Sequence, residues 1–313
     1  MDNKVFDNLK NKQISQSSLN LYLKNLQRLN DGEEIKNFNF LKNVKAIIEK
    51  IKDYKPNTRR TYLISIVSLL KQEPKFATLY DKYYKLLMEY NKELKTNNEK
   101  SETQKENWIS QEEVLNKQKE LMEIIPELKK KITIAQYNKL LNLVVLSLYT
   151  LQAPRRNLDY LHMNVINKYN PELSTENNYL DLSSGSFIFR NFKTKKTYLD
   201  QVIKINDDLM NIIKIYLKYH PKRKEMKGKF NIPFLVDVNG DEFTNSNEIT
   251  RLLNKIFDKK IGSSMLRNIY LTSKYSKNLE NLKTDATAMG TSSNTAENQY
   301  IKMEPTKTKS IDV

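Results

Sequence analysis

The spacing of apolar residues constrains the fold of this chain more than any other feature. Between Ser17 and Leu29, leucine and tyrosine recur every three or four positions, the period that places side chains on one face of an α-helix. The same period recurs in residues 40–51, 58–71 and 78–94. Only six glycines occur among the 313 residues, so few positions favour an interruption of these helices. A mostly helical protein is predicted, and its first four helices are expected to form a small bundle.

A polar segment divides the chain into two predicted domains. Residues 95–107 (KTNNEKSETQKEN) contain no large apolar side chain, so they are predicted to be a flexible linker rather than part of a core. Residues 1–94 are predicted to form a helical domain, and residues 108–313 a second domain. Ser110, followed three residues later by Glu113, is expected to cap the first helix of the second domain.

One region of the second domain has strand-like sequence. Short apolar runs bounded by turn residues predict strands at residues 179–182, 186–192 and 202–205. Helices are predicted on either side, at residues 132–151, 209–219, 247–257 and 264–275. The predicted fold class is therefore mainly α with a small antiparallel β-sheet, in which an all-helical domain is followed by an α+β domain.

The chain is strongly basic. Its 53 lysine and arginine residues exceed its 37 aspartate and glutamate residues, which gives a formal net charge of +16. This excess favours a polyanionic partner, nucleic acid before an anionic membrane surface, although a lysine-rich codon usage is an alternative explanation. The most apolar stretch, residues 140–151, is shorter than the roughly 20 residues of a membrane-spanning helix. A soluble intracellular protein with no membrane partner is predicted.

Cysteine and histidine are too scarce for several kinds of active site. The absence of cysteine excludes disulfides, thiolate nucleophiles and cysteine-ligated zinc. The two histidines, His162 and His220, are too few for a histidine-rich metal centre and are predicted to be packing or surface residues. Carboxylate-bound magnesium is compatible with the composition, but no spaced set of carboxylates stands out. Neither a metal nor another cofactor is predicted.

Four segments of the second domain carry residues suited to chemistry on a phosphodiester. They are residues 153–160 (APRRNLDY), 192–196 (FKTKK), 262–268 (GSSMLRN) and 289–300 (MGTSSNTAENQY). Arginine stays charged and binds two phosphate oxygens at once, which suits a transition state that gains negative charge. A tyrosine hydroxyl can attack phosphorus beside such cations, and a lysine can protonate the departing oxygen. Taken singly, each segment is more often a solvated helix end or a surface contact.

In order and spacing, these segments resemble the boxes of the tyrosine recombinases, also called the phage integrase family. The corresponding residues are Arg156-Asn157-Leu158-Asp159 for an R-x-x-E/D arginine, Lys193-Thr194 for a hairpin lysine, Ser264-Met265-Leu266-Arg267 for an H-x-L-R box, Met289-Gly290-Thr291-Ser292-Ser293 for an L-G-H-S-S-like box, and Tyr300 for the nucleophile. Tyr300 follows Thr291 by nine residues (300 − 291), as in the family. The resemblance covers residues 105–313, whereas residues 10–95 resemble the family's helical core-binding domain in architecture only. The variant residues are most similar to integrase-type enzymes of large eukaryotic DNA viruses and virophages.

The resemblance implies a site-specific recombinase that acts on double-stranded DNA as a homotetramer on paired sites. Its implied catalytic residues are Arg156, Lys193, Ser264, Arg267, Thr291 and Tyr300. Both arginines would hold the scissile phosphate, and the tyrosine would attack it to form a 3′-phosphotyrosine. The lysine would protonate the 5′ oxygen, and no metal or cofactor would be needed. Ser264 and Thr291 stand where the family has histidine, or tryptophan at the second position, so a slower reaction is expected.

Several alternatives stay open from the sequence. Arg155 competes with Arg156, which is preferred because an aspartate follows it at the third position. Lys195 and Lys196 compete with Lys193, which directly follows a predicted strand. A type IB topoisomerase-like enzyme would share the chemistry but reseal the same strand as a monomer. A catalytically degenerate DNA-binding protein would leave no covalent adduct, and a metal-dependent nuclease is disfavoured by the lack of a coherent carboxylate set.

Overall fold

The computed structural model describes Leu9 and residues 14–71, 73–96 and 100–301. The chain divides into two compact units between Lys100 and Ser101. In its described part the first unit is helical, and the second combines helices with a five-stranded sheet. The predicted fold class, mainly α with a small sheet, is confirmed. Within the described residues, no helix is both long enough and apolar enough to cross a lipid bilayer.

The described α-helices of the first unit are α1 (Gln16–Leu29), α2 (Val44–Ile51), α3 (Pro56–Leu70) and α4 (Ala77–Thr96). Their apolar faces meet in one core, at which Leu26, Leu63 and Ile66 are fully buried. The helix predicted at residues 40–51 begins only at Val44, because the Asn43 side chain accepts a hydrogen bond from the Ala46 amide and so caps the helix there. The other three predicted helices correspond closely to α1, α3 and α4.

The segment predicted as a flexible linker, residues 95–107, is largely helical. α4 continues to Thr96, and α5 (Glu102–Asn107) follows. Ser101 and Gln104 form a capping box at the start of α5, so local hydrogen bonds stabilise a helix that buries no side chain. The Asn107 side chain accepts a hydrogen bond from the Lys260 amide at 2.8 Å, which connects α5 to a distant segment of the second unit. Residues 97–99 lie outside the described part of the chain.

The second unit is organised around α7 (Ile134–Thr150), in which ten side chains are buried. Against it pack α6 (Gln111–Met122), α10 (Asp207–Lys218) and α11 (Ser246–Phe257). Because neighbours cover α7 on several sides, it is apolar around most of its circumference. The other described α-helices of this unit after α5 are α8 (Asn157–Leu161), α9 (Lys195–Tyr198), α12 (Ser263–Ala288) and α13 (Ser293–Thr295), the last followed by a π-helical turn (Ala296–Tyr300).

The sheet has the strand order β4-β3-β2-β1-β5. Its strands are β1 (Met163–Ile166), β2 (Asn178–Asp181), β3 (Ser186–Phe189), β4 (Gln201–Lys204) and β5 (Asn231–Pro233). β1 is parallel to β2, whereas the other neighbours are antiparallel, so the sheet is mixed rather than antiparallel as predicted. The three predicted strands correspond to β2, β3 and β4. Neither β1 nor β5 was predicted from the sequence.

The strand predicted at residues 186–192 ends earlier, at Phe189. The Asn178 carboxamide oxygen accepts hydrogen bonds from the backbone amides of Arg190 and Asn191, each at 2.8 Å. Because these two amides bond to the Asn178 side chain, they are not available for backbone hydrogen bonds that would extend the strand. The connection from β3 to β4, which carries the lysine-rich segment, starts at this point.

α12 extends well beyond the predicted residues 264–275. Its first turns are anchored in the core by Met265, Leu266 and Ile269, whereas none of residues 270–285 is buried. The helix ends only near Gly290, which has a φ of +69° and so reverses the chain as a glycine after a helix commonly does. At 1.5 Å per residue, the 26 residues of α12 extend about 39 Å.

Candidate active site

Three arginines, Arg155, Arg156 and Arg267, line a pocket of the second unit. The first two precede α8, and the third lies in the second turn of α12. The remaining lining residues come from the same segments, from α8, from the β3–β4 connection and from β4: Ala153, Pro154, Asp159, Phe192, Thr194, Tyr198, Gln201 and Ile203. The fold therefore brings together three of the four segments that carry candidate residues.

Arg155 is part of the wall of the pocket. Its Nε donates to Asp159 Oδ2 at 2.8 Å, and its Nη1 donates to Gln201 Oε1 at 2.9 Å. Its guanidinium group also lies 3.7 Å from the centre of the Phe189 ring, a distance typical of a stacked cation–π contact. With its side chain only 15% exposed, Arg155 ties β4, β3 and α8 together.

The carboxyl group of Asp159 is buried beside these arginines, and its side chain is 2% exposed. Burial raises its pKa, while the charge of Arg155 and, less strongly, that of Arg156 oppose the rise. The argument for preferring Arg156 from sequence, an aspartate at the third position, therefore does not hold, because the carboxylate pairs with Arg155. Arg156 contacts Asp159 through the backbone, where its carbonyl oxygen accepts from the Asp159 amide at 3.0 Å.

Arg156 and Arg267 have a different environment from Arg155. Both are half-buried and both line the pocket. Within the described residues, neither guanidinium group makes an ion pair or donates a hydrogen bond. Each therefore has a planar set of N–H donors available to an anion, whereas Arg155 is engaged with Asp159 and Gln201.

The three candidate lysines of the β3–β4 connection also differ. Lys195 forms an ion pair with Asp200 at 2.7 Å, so its ammonium group is already engaged. Lys193 is exposed and does not line the pocket, but it lies between Phe192 and Thr194, which do. Lys196 is exposed and further along the connection. Of the three, Lys193 is therefore the lysine that directly adjoins pocket residues in the chain and makes no ion pair among the described residues.

The remaining predicted residues lie on α12 and beyond it. Ser264 precedes Arg267 by three residues on the helix, so the two share a face; Ser264 is exposed and is not a lining residue. The far end of α12 is about 30 Å along the helix from Arg267. Thr291 and Tyr300 follow that end, and neither lines the pocket. Tyr300 is 57% exposed. The convergence of Thr291 and Tyr300 on the pocket, expected from the sequence, is not seen within the single chain.

The segment that carries Tyr300 is attached to the end of α12. The Thr291 amide donates to the Ala286 carbonyl at 2.9 Å, and the side chains of Ala286 and Ala296 are buried there. Together with the π-helical turn, these contacts place Tyr300 on a compact tip of the projecting helix. The tip and its tyrosine are therefore expected to move as one piece with α12.

Tyr198 is a pocket residue that the sequence reasoning missed. It lines the pocket beside the arginines and is 61% exposed, and its hydroxyl has no hydrogen-bond partner among the described residues. Its sequence signal is an aromatic residue that directly follows the lysine-rich part of the connection. The two histidines lie elsewhere: His162 is exposed, and His220 is buried against Tyr216.

Within the described part of the chain, no group of three or more histidine, cysteine, aspartate or glutamate side chains is arranged to hold a metal ion.

Comparison of the sequence with protein-family models and with curated proteins finds no match. Among solved structures, a crystal structure of XerA recombinase is similar, with 12% sequence identity over 96% of this chain and 92% of that chain. The TM-score of 0.34 is too low for this likeness to define the fold or the chemistry.

Proposed function

We propose that this chain is a DNA strand transferase of the tyrosine recombinase type, in which Arg156 and Arg267 bind the scissile phosphate of double-stranded DNA. The observation that carries the proposal is that these arginines, 111 residues apart in the chain (267 − 156), line one pocket without an ion-pair partner among the described residues. Like charges repel at such a site. A phosphate that accepts hydrogen bonds from both guanidinium groups would remove that repulsion and explain their placement.

The proposed reaction exchanges one phosphoester bond for another. The Tyr300 hydroxyl loses its proton to water as its oxygen attacks phosphorus, the bond to the 5′ oxygen breaks, and a 3′-phosphotyrosine forms. Lys193 donates a proton to the departing 5′ oxygen, while the two arginines stabilise the extra negative charge of the transition state. A 5′-hydroxyl of the partner strand then attacks the phosphotyrosine and releases Tyr300. Because a phosphoester bond is kept at each step, the reaction requires no nucleotide cofactor.

Tyr300 would reach a pocket in an assembly of several chains. In the single chain the tyrosine is at the tip of α12, and that helix has exposed apolar side chains at every fourth position, Leu271, Tyr275 and Leu279. A neighbouring chain that covers this apolar face would place the tip of one α12 near the arginine pocket of another. This supports the homotetramer on paired DNA sites, and the variant box residues extend the proposal to an integrase of a large DNA virus or virophage.

The test is covalent trapping on a nicked suicide DNA substrate. The wild type is expected to form an adduct that maps to Tyr300, and Tyr300→Phe is expected to bind DNA with unchanged affinity but form no adduct. EDTA should leave the adduct yield unchanged, because the arginines supply the charge that a metal supplies in carboxylate nucleases. An adduct on Tyr198, the tyrosine that does line the pocket, or a requirement for magnesium would contradict the proposal.

Mixing two inactive variants tests the supply of Tyr300 from another chain. Arg267→Ala retains the tyrosine but not the pocket, and Tyr300→Phe retains the pocket but not the tyrosine. If the tyrosine enters a neighbouring pocket, the mixture forms the adduct that neither variant forms alone. If every chain uses its own tyrosine, the mixture stays inactive.

A second candidate function is DNA binding without strand transfer. It is favoured by the distance of Tyr300 from the pocket and by Ser264 and Thr291 at positions where the family has histidine. Such a protein would bind duplex DNA but give no adduct in any mixture. A type IB topoisomerase-like enzyme would instead relax a supercoiled plasmid without a specific site.

A further inference from the structure

Leu199 has a backbone conformation that L-amino acids rarely adopt. It lies in the β3–β4 connection directly after α9, with a φ of 57° and a ψ of −160°. This region of conformational space is populated almost entirely by glycine, because a Cβ atom makes it costly. The conformation is maintained by the surrounding chain, since the Leu199 amide donates to the Lys195 carbonyl at 2.7 Å.

The Leu199 side chain buries little of its apolar surface in the fold, so burial does not offset the backbone strain. It is 71% exposed, and Tyr198 and Val202 on either side are 61% and 60% exposed. A glycine at this position would avoid the strain and would lose little buried apolar surface. Strain of this kind concentrates at functional positions, where a partner makes use of the side chain.

The neighbouring charges indicate the chemistry of that partner. Lys193 and Lys196 lie in the same connection and have no ion-pair partner among the described residues, and Tyr198 forms part of the arginine pocket. A matching partner presents regularly spaced negative charges with apolar surface between them. Duplex DNA does so at a base step that is opened, because its phosphates flank base pairs whose apolar faces become accessible on unstacking.

We propose that Leu199 is an apolar wedge that enters a groove of duplex DNA beside the arginine pocket and partly unstacks one base step there. Apolar side chains inserted between base pairs open the stack and kink the duplex. The proposal rests on the proposed function for its DNA partner, but it requires binding only and no strand cleavage. The Leu199 backbone, already fixed in the free protein, would reduce the entropy that ordering the connection costs on binding.

Three variants separate the wedge from the strain. Leu199→Met keeps both the apolar side chain and the Cβ atom, Leu199→Ala keeps only the strain, and Leu199→Gly removes both. Each is mixed with short duplexes that carry 2-aminopurine at pyrimidine–purine steps, which unstack most readily, and the rise in its fluorescence reports unstacking. The wild type and Leu199→Met are expected to give the rise, and the other two variants to lose most of it.

Melting temperatures provide the second readout. Leu199→Gly should melt higher than Leu199→Ala by roughly 2–4 °C, the shift that a small relief of strain produces in a domain of this size. Ile134→Ala, which truncates a 65% exposed apolar residue outside the pocket, is the control and should leave the fluorescence rise unchanged. Folded Leu199→Ala and Leu199→Gly proteins that unstack the base as the wild type does would overturn the proposal, as would a wild type that gives no rise.

The adduct assay distinguishes a failure of the wedge from a failure of the proposed function. A Leu199-dependent fluorescence rise without any covalent adduct would retain the wedge and remove strand transfer. An adduct on Tyr300 with a rise that is independent of Leu199 would remove the wedge and retain strand transfer.

Discussion

Arg155 and Arg156 are adjacent in sequence, yet their surroundings assign them different tasks. Arg155 is stacked on Phe189 and paired with the buried Asp159 carboxylate, so its positive charge is balanced by a neighbouring side chain of the fold. The Arg156 guanidinium lines the same pocket but has no ion-pair partner among the described residues. At the scale of the residue, chemical type is therefore less informative than the contacts that the side chain already makes.

Replacing Arg155 by alanine is expected to affect mainly stability, and replacing Arg156 by alanine mainly the rate of adduct formation. Arg155→Ala should lower stability by about 3 kcal/mol, because it leaves a buried carboxylate without its partner. Arg156→Ala should leave stability nearly unchanged and lower the rate of covalent adduct formation by about 10²-fold or more, as expected when a donor to the transition state is removed. Thermal unfolding and single-turnover trapping measure the two effects. A stability loss confined to Arg156→Ala would show that the roles are reversed.

His220 makes the stability of the second unit depend on pH. Burial lowers its pKa from 6.5 to about 4, so the folded state resists protonation more than the unfolded state does. Its contribution is fully present above pH 6.5 and is lost as the pH falls from 6.5 to about 4, which amounts to about 3 kcal/mol. Denaturant unfolding of His220→Asn should show a smaller loss of stability over this pH range, because asparagine does not titrate. The asparagine side-chain oxygen can replace Nδ1 as acceptor for the Lys222 amide. Equal losses in both proteins would exclude this histidine as the cause.

At the scale of the element, α12 separates the candidate residues into two groups. Its first turns place Ser264 and Arg267 at the pocket side of the second unit, while Thr291 and Tyr300 follow its far end, which is about 30 Å along the helix from Arg267. No glycine or proline occurs between Ser263 and Ala288, so the sequence favours one continuous helix. The two candidate segments at its ends are therefore held apart in the single chain.

Histidine substitutions at Ser264, in the first turn of α12, and at Thr291, just beyond its end, test this separation. Ser264→His, next to Arg267, should strengthen DNA binding by the unassembled chain below about pH 6.5, where an unperturbed imidazole becomes charged. Thr291→His should not change the pH dependence of that binding, because its position is far from the pocket. Binding titrations between pH 5.5 and 8 on a short duplex are the measurement. A similar pH response in both variants would mean that Thr291 does reach the bound DNA.

For the molecule as a whole, the net charge of +16 is the property that would govern encounter with the proposed DNA partner. Unpaired lysines such as Lys193 and Lys196 add to the field of the pocket arginines within the second unit. Long-range attraction of this kind is independent of base sequence and is weakened by salt. The recognition of a particular site has to come from contacts with the bases.

Affinity for duplex DNA is accordingly expected to fall steeply with salt. Several phosphate contacts should reduce the affinity by orders of magnitude between about 50 and 200 mM salt, since each contact releases counterions. Lys193→Ala should reduce the slope of log affinity against log salt by about 1, whereas the uncharged change Leu199→Ala should leave the slope unaltered. A flat response of the wild type would contradict DNA binding through phosphates.

The sequence by itself determined most of the local structure. Helices α1, α3, α4, α7, α10 and α11 and strands β2–β4 follow from apolar spacing, and the cap at Ser110 follows from a single side chain. These features depend on neighbours within a few positions, which is why a sequence pattern predicts them. The candidate residues Arg156, Lys193 and Arg267 could likewise be selected from their order along the chain.

Only the tertiary structure decided how these residues are arranged. It assigned Asp159 to Arg155, added Tyr198 to the pocket, placed β1 parallel to β2, and kept Tyr300 away from the arginines of its own chain. Each of these outcomes depends on side chains or strands that are distant in sequence, or on the length at which a helix stops. Such contacts are set by the packing of the whole unit, because burial and ion pairing compete among all the groups that meet there, and no local pattern records the result.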